Sequence, residues 1–318
     1  MRHQVVFPNA EKMDYDGTLD FSVPGCDVRL CSAESEGDIL RFAEGADVLV
    51  SKELPLPAKL IEALPPEVQL ICEAGTGYNN IALAAADARG IAVCNVPAYS
   101  TQRVAHTAVM LMLNLASSMR AQMAMLERGD HRNFTEHLLL PHVELNGKTL
   151  GVIGAGHIGS EVIKIALALD MKVLVFSRRR FDRASVSNVP LEELLRRSDF
   201  VSLHCPLTAE TRHLINDETL ALMKKSAFLI NTARGALVDE AALIRALKEG
   251  KIAGAGLDVQ EQEPPEEDNP LYAMENVILT PHMGWKGKET RQRLVSGVAA
   301  DIVAFFDGAP VNVVKASR

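Results

Sequence analysis

The sequence lacks the features that would tie it to a secreted scaffold, a nucleic acid or a bilayer. Its five cysteines, Cys26, Cys31, Cys72, Cys94 and Cys205, form no CxxC pair and leave an odd count. Neither a disulfide framework nor a zinc site is expected, and no metal is assigned. Lys and Arg number 33 against 41 Asp and Glu, a formal net charge of −8, so the basic excess of a nucleic-acid-binding domain is missing. The longest apolar stretch, Thr107 to Met119, is broken by Asn114, Ser117 and Ser118 and falls short of the roughly 20 residues that span a membrane. The opening MRHQVVFPNAEK has no apolar core ahead of Pro8 and Glu11, so no signal peptide is expected. Together these absences predict a cytoplasmic protein with no nucleic-acid or membrane partner.

What is present is an ordinary globular balance, 47% apolar and 23% charged, over 318 residues. At roughly 150 residues per domain that length suggests two domains. Short apolar runs alternate with amphipathic stretches throughout. In the second half the strand candidates are TLGVI (149–153), KVLVF (172–176), DFVSL (199–203), AFLIN (227–231), AGAGLDV (253–259) and NVILT (276–280). Pro190 stands at the expected first position of a helix over LEELLRR. Asp239 is an N-cap candidate and Gly250 a C-terminal stop for EAALIRALKE. Strands separated by helices of this length imply βαβ crossovers and a parallel sheet covered on both faces.

The first half repeats the pattern on a smaller scale, with QVVF (4–7), DVRL (27–30), ADVLV (46–50), VQLIC (68–72) and IAVCN (91–95). A hinge is expected at Asn95-Val96-Pro97, followed by a long helical stretch from about Ser100 to Glu127. The segment 129–145 reads as a loop. The amphipathic stretch Lys288 to Phe306 is expected to return to the first domain.

Residues 149–159 read TLGVIGAGHIG, placing Gly154-x-Gly156-x-x-Gly159 between a strand and a helix. In that context the glycines permit a tight turn, close backbone approach to a pyrophosphate, and helix-on-strand packing. The pyrophosphate would rest on the helix N-terminus, at His157 and Ile158, where unpaired N–H groups favour an anion. The His157 side chain itself reads as solvated. The next strand ends Phe176-Ser177-Arg178-Arg179-Arg180. An NAD site ordinarily places a carboxylate here to accept from the ribose 2′-OH. Ser177 followed by Arg178 and Arg179 favours the 2′-phosphate of NADP(H) over NAD(H). A solvated basic loop is the competing reading of RRRFDR.

In open α/β sheets ligands bind at the carboxyl ends of the strands. At those ends stand His204, Cys205 and Pro206; then Thr232, Ala233, Arg234 and Gly235; then Asp258, with Glu263 beyond it; then Pro281 and His282. A guanidinium, a carboxylate and an imidazole thus arrive on the same edge as the glycine loop. As a set they read as a catalytic constellation. Taken singly, each has a structural reading as a helix cap, a solvated acidic run or a turn residue.

The stretches AGTGYNNI (74–81), NVPAYSTQRVA (95–105), GVIGAGHIG (151–159), LHCPLTAETRHLIN (203–216), LINTARGALVDEAAL (229–243), GAGLDVQEQEP (254–264) and LTPHMGW (279–285) resemble the NAD(P)-dependent D-isomer-specific 2-hydroxyacid dehydrogenases over essentially the whole chain. Trp285 after the histidine and SRR after the second strand resemble the glyoxylate/hydroxypyruvate reductase and glycerate dehydrogenase group in particular. The resemblance implies an α/β architecture of two doubly wound parallel-sheet domains. The larger, residues 99–286, would be a Rossmann dinucleotide-binding domain inserted in a flavodoxin-like substrate domain, residues 1–98 plus 287–318. It further implies a cleft that closes between them and a homodimer built on the cofactor domain.

For the site, the resemblance implies a catalytic trio of Arg234, Glu263 and His282. Arg234 would pair with the substrate carboxylate and polarise the keto oxygen, His282 would protonate that oxygen, and Glu263 would orient His282. Backbone amides of Thr76 and Gly77 would receive the carboxylate. Asp258 and the Ala233 backbone would hold the nicotinamide amide, Cys205, Pro206 and Thr211 would line the cofactor's path, and Thr232 and Gly284 join the same set. The implied reaction is reduction of glyoxylate, hydroxypyruvate or a similar small 2-oxo acid with NADPH. Phosphoglycerate dehydrogenase and a non-catalytic, dinucleotide-sensing corepressor are the competing readings. His106 and the histidine-bearing segment His131, His137 and His142 depart from the family pattern and bear on the substrate. Lys52, after ADVLVS, either reaches the substrate or is a solvated lysine, and the solvated reading is the one favoured.

Overall fold

The computed structural model describes residues 2–316, which divide into two compact units. One joins the residues up to Ser100 with those from Trp285 onward, and the other runs Thr101–Gly284.

The first unit is a five-stranded sheet of β1 (His3–Phe7), β2 (Cys26–Leu30), β3 (Val48–Ser51), β4 (Leu70–Glu73) and β5 (Ala92–Asn95), in the order β2-β1-β3-β4-β5. Every pairing is parallel, which gives the 2-1-3-4-5 order of flavodoxin-like folds. Its inner strands read as largely continuous apolar runs because both faces are covered, while the edge strand β2 carries Asp27 and Arg29. Val5, Phe7, Val48, Val50, Leu70 and Cys72 pack on one side with Leu294, Val295, Val298 and Ile302. Val6, Leu49, Ile71 and Val93 pack on the other with Ile39, Leu60, Ile61 and Ala86. The helix Lys288–Phe306 therefore closes one face of a sheet made from the start of the chain, at about 1.5–3 kcal/mol for each aliphatic side chain it buries.

The second unit is a seven-stranded parallel sheet of β6 (Thr149–Ile153), β7 (Lys172–Phe176), β8 (Val186–Asn188), β9 (Phe200–Leu203), β10 (Phe228–Asn231), β11 (Gly254–Leu257) and β12 (Val277–Leu279). The order is β12-β11-β10-β9-β6-β7-β8, which counted within the unit is the doubly wound 3-2-1-4-5-6 arrangement with one strand added. Helices Thr101–Ala116 and His157–Ala168 cover one face through Leu111, Met112, Leu115, Val162 and Ile163. Helices Leu191–Arg197, Asp217–Leu222 and Glu240–Lys248 cover the other through Leu194, Leu220, Leu243 and Leu247. The order reverses at β6, which lies between β7 and β9, and that is where such sheets bind ligands.

Three local expectations change, and one strand appears where none was expected. The helical stretch expected over 100–127 is broken into two helices, Thr101–Ala116 and Met119–Glu127. Ser118 adopts the left-handed conformation (φ 48°) between them. Its Oγ donates to the Pro141 carbonyl at 2.7 Å, and the Val143 N–H donates to Ala116 O at 2.9 Å, so the following segment supplies partners where the helix ends. The segment 129–145 contains one helical turn, Arg132–Thr135. β8 is a three-residue edge strand, too short for an alternation to register. Pro190 occupies the N-cap rather than the first helical position. Asp239 caps as expected, its side chain accepting from the Ala242 N–H.

Candidate active site

The glycine loop follows β6 at the reversal point. Gly154 has φ 94°, a conformation open to glycine, and a Cβ there would lie 2.6 Å from the Cys205 N. A Cβ on Gly159 would overlap the Gly154 carbonyl, so the third glycine lets the helix His157–Ala168 begin directly on the turn. Gly156, the N-cap of that helix, has open space where its side chain would be. A turn without side chains, open above and ending on a 12-residue helix, fits a pyrophosphate. Among the described residues, two buried polar atoms at the same edge have no protein partner, Thr232 Oγ1 and His204 Nδ1. Such atoms are costly to leave unmade and suit a ligand that supplies the missing hydrogen bonds. The residues present therefore fit a dinucleotide.

At the end of β7, Ser177 is half-buried and its Oγ donates to the Arg179 carbonyl. Arg178 and Arg179 are exposed. Cys205 begins a turn closed by Thr211, whose Oγ1 donates to the Pro206 carbonyl at 2.7 Å and accepts the Thr208 N–H at 2.7 Å. Burial pushes the Cys205 thiol up, away from thiolate reactivity. Burial likewise pushes the His204 imidazole down to about 4, so it is neutral near pH 7 and exchanges a hydrogen bond with Ser202 Oγ at 2.8 Å.

The strand register brings the remaining groups side by side. Asn231 pairs with Leu257, and Leu257 with Leu279. Arg234, Asp258 and His282 thus leave three adjacent strands within three residues of a common line. Asn231 shapes the first turn: its Nδ2 donates to Arg234 O at 2.9 Å and its Oδ1 accepts the Ala233 N–H at 3.0 Å. Asn231 closes the apolar run AFLIN and carries no motif of its own. A polar residue closing an apolar strand is the signal that could have found it. Arg234 is half-buried and donates to the Ala233 carbonyl.

Asp258 is buried and committed to the third turn. Its Oδ1 accepts from Thr280 Oγ1 at 2.6 Å and from the Met283 N–H at 2.9 Å, and its Oδ2 accepts the Gly284 N–H at 2.8 Å. His282, held between those contacts, takes the left-handed conformation (φ 48°) that a non-glycine residue adopts at some cost. Its Nδ1 lies 2.7 Å from Glu263 Oε2, and Glu263 Oε1 accepts the Gln260 N–H at 3.0 Å. Gly235 ties the first turn to this segment, since a Cβ there would overlap the Gln260 carbonyl. The structure thus joins His282 and Glu263 directly, and sets Arg234 one residue from the glycine that packs on the segment leading to Glu263. A fixed cation and an imidazole oriented by a carboxylate are the groups needed to hold a carboxylate anion and protonate a carbonyl oxygen.

In the first unit, Thr76 and Gly77 follow β4. Asn95 Nδ2 donates to the Thr76 carbonyl at 2.6 Å and Thr76 Oγ1 to the Val96 carbonyl at 3.2 Å. Among the described residues neither the Thr76 nor the Gly77 N–H finds an acceptor. Lys52 is 2% exposed, which overturns the reading of it as a solvated lysine.

Residues 109–284 match the family described as D-isomer specific 2-hydroxyacid dehydrogenase, NAD binding domain. The chain is 41% identical over 283 residues to a glyoxylate reductase of Korarchaeum cryptofilum, covering 87% of this chain and 85% of that one. It is 39% identical to a glycerate dehydrogenase of Methylorubrum extorquens over 99% of this chain and 100% of that one. It is also 40% identical to a D-3-phosphoglycerate dehydrogenase of Methanocaldococcus jannaschii, over 89% of this chain but 54% of that one. Among solved structures, the TT0316 protein from Thermus thermophilus superposes with a TM-score of 0.86 at 34% identity, covering 98% and 99% of the two chains. An acyclic imino acid reductase in complex with NADPH and D-Arg superposes with a TM-score of 0.84 at 28% identity over 98% and 100%. The NAD complexed form of a D-isomer specific 2-hydroxyacid dehydrogenase from Lactobacillus delbrueckii ssp. bulgaricus does so with a TM-score of 0.81 at 27% identity, again over 98% and 100%. With its parallel sheets, its dinucleotide turn and its histidine–glutamate pair, the chain belongs to the D-isomer-specific 2-hydroxyacid dehydrogenases, oxidoreductases that act on a CH–OH group with a nicotinamide dinucleotide.

Proposed function

We propose that this enzyme reduces a small 2-oxo acid, glyoxylate or hydroxypyruvate, to the D-2-hydroxy acid with NADPH. The observation that carries the reading is the 2.7 Å bond between His282 Nδ1 and Glu263 Oε2 on the sheet edge that also bears Arg234 and the glycine loop. The bound nicotinamide supplies the hydride. Arg234 pairs with the substrate carboxylate and draws charge from the keto oxygen. His282, oriented through Nδ1, gives a proton from Nε2 to that oxygen as negative charge develops on it. The N–H groups of Thr76 and Gly77 take the carboxylate, and the unit containing them is the substrate domain. Thr232 and the Ala233 backbone would hold the nicotinamide amide, while Asp258 and Gly284 hold the neighbouring turn. Gly154, Gly156, His157, Ile158 and Gly159 would hold the pyrophosphate, with Cys205, Pro206 and Thr211 along the cofactor's path.

NADPH is favoured because Ser177 leaves out the carboxylate that would repel a 2′-phosphate, while Arg178 and Arg179 stand exposed beside it. A homodimer through the cofactor-binding unit is supported by apolar side chains left on its surface, Met119, Met123, Leu126 and Phe134, the last 79% exposed. A cytoplasmic site is supported by five free thiols. Among the described residues no helix is long and apolar enough to cross a membrane.

The test is a steady-state screen of glyoxylate, hydroxypyruvate, pyruvate and 3-phosphohydroxypyruvate against both reduced cofactors. Highest kcat/KM for glyoxylate or hydroxypyruvate with NADPH is expected. Preference for the phosphorylated acid would favour the phosphoglycerate reading. Tight cofactor binding without turnover of any acid would favour a sensor.

A further inference from the structure

The loop after β3 holds an amine that hydride transfer does not require. Both backbone groups of Lys52 are fixed by Asn9, which donates to its carbonyl at 2.7 Å and accepts its N–H at 3.2 Å. The side chain turns inward and is 1% exposed. Its Nζ sits 4.1 Å from the centre of the Trp285 ring and 2.6 Å from Glu53 Oε1. Glu53 is itself in the left-handed conformation (φ 58°), and its N–H donates at 3.0 Å to the buried Glu73. Withdrawing an ammonium from water is unfavourable, and it is offset here by a carboxylate that is 59% exposed, by the Trp285 ring and by the charge of the buried Glu73 nearby. A rigid backbone, a strained neighbour and a buried charge together mark a position held for use.

The amine also lies beside the carboxylate-binding turn, since a Cβ on Gly75 would be 3.8 Å from Lys52 Nζ. We propose that Lys52 determines substrate specificity, donating a hydrogen bond to a hydroxyl on C3 of the substrate, so that a 3-hydroxy-2-oxo acid is preferred to one ending in methyl. This rests on the reductase reading, in which the neighbouring Thr76 and Gly77 N–H groups hold the carboxylate. C3 is joined to that carboxylate carbon through C2 alone, and with the keto oxygen given to the proton donor, the C3 substituent is the group left within reach of an amine beside Gly75. Glu53 occupies the amine until substrate arrives, then turns to water.

The test compares kcat/KM for hydroxypyruvate and for pyruvate in wild type, Lys52→Met and Glu53→Gln. In wild type hydroxypyruvate is preferred, and in Lys52→Met the preference falls about 10- to 100-fold, the worth of a charge-assisted hydrogen bond. Glu53→Gln, altered at an exposed side chain, lowers KM for hydroxypyruvate. Equal losses on both acids in Lys52→Met would mean that the amine only supports the loop, and would overturn the proposal. If wild type reduces neither acid, the reductase reading fails separately. The proposal is then read from thermal shifts of the full chain with D-glycerate and D-lactate. A larger shift with D-glycerate that disappears in Lys52→Met supports it, and equal shifts overturn it.

Discussion

His282 Nδ1 and Glu263 Oε2 stand 2.7 Å apart while the other Glu263 oxygen is occupied by the Gln260 N–H. The carboxylate is therefore fixed before it fixes the ring, and in the proposed reduction Nε2 is the nitrogen that serves the substrate. Replacing His282 with Gln should lower kcat for glyoxylate by about 10²–10⁴. Glu263→Gln should cost less, since an amide oxygen still accepts from Nδ1–H but no longer stabilises the imidazolium. Single-turnover oxidation of NADPH, followed by absorbance, checks both. A His282→Gln rate within tenfold of wild type would remove the imidazole from proton donation.

Arg178 is the exposed guanidinium nearest the end of β7 in sequence. Arg178→Ala should raise KM for NADPH by about tenfold or more, as expected for a lost hydrogen bond between charged groups, and leave KM for NADH nearly unchanged. Equal rises for the two cofactors would count against a 2′-phosphate contact.

Gly235 offers a backbone test of how the trio is held. An alanine there meets the Gln260 carbonyl, which is main chain and cannot swing away. Gly235→Ala should lose about 1–3 kcal/mol of stability, read by urea unfolding. It should also lower kcat at least tenfold by displacing the segment that ends in Glu263. Full activity in a folded variant would show that the segment is not needed to place the pair.

The buried His204 makes stability depend on pH in a definite direction. Its native value is about 4 against 6.5 for an unperturbed imidazole, the cause being burial. Between these values the unfolded chain binds more protons than the native one, so stability falls as the pH is lowered from about 6.5 towards 4. Urea midpoints at neutral and mildly acidic pH should show a smaller acid loss in His204→Gln than in wild type. The same loss in both would place the titration elsewhere.

Much of this architecture was legible because parallel sheets covered on both faces write themselves as apolar runs. Val173, Leu174 and Val175 alternate between the two cores of their unit, yet all three are apolar, so the strand shows as a block. The glycines at 154, 156 and 159 were equally readable, since their chemistry is local. Ser118 was not: its left-handed turn depends on its own hydrogen bond to Pro141 and on that of Val143 to Ala116, partners distant in sequence. β8 escaped because three residues carry no period. Lys52 was misread because the two features that bury it, Asn9 and Trp285, come from far along the chain on either side. For Asp258 the resemblance implied a place at the nicotinamide amide, and only the fold reveals that its oxygens organise the turn carrying His282.

The helix Lys288–Phe306 completes a core whose strands lie at the other end of the chain. On the ribosome, where synthesis proceeds at about 5–20 residues per second, the first five strands emerge long before their covering helix. Val5, Phe7, Val48 and Leu70 then wait, bare on one side, while the entire inserted unit is translated. The nascent chain is thus most open to chaperone capture midway through its own production, and a premature stop ahead of Lys288 would release a polypeptide whose cofactor half is whole and whose other half is uncovered.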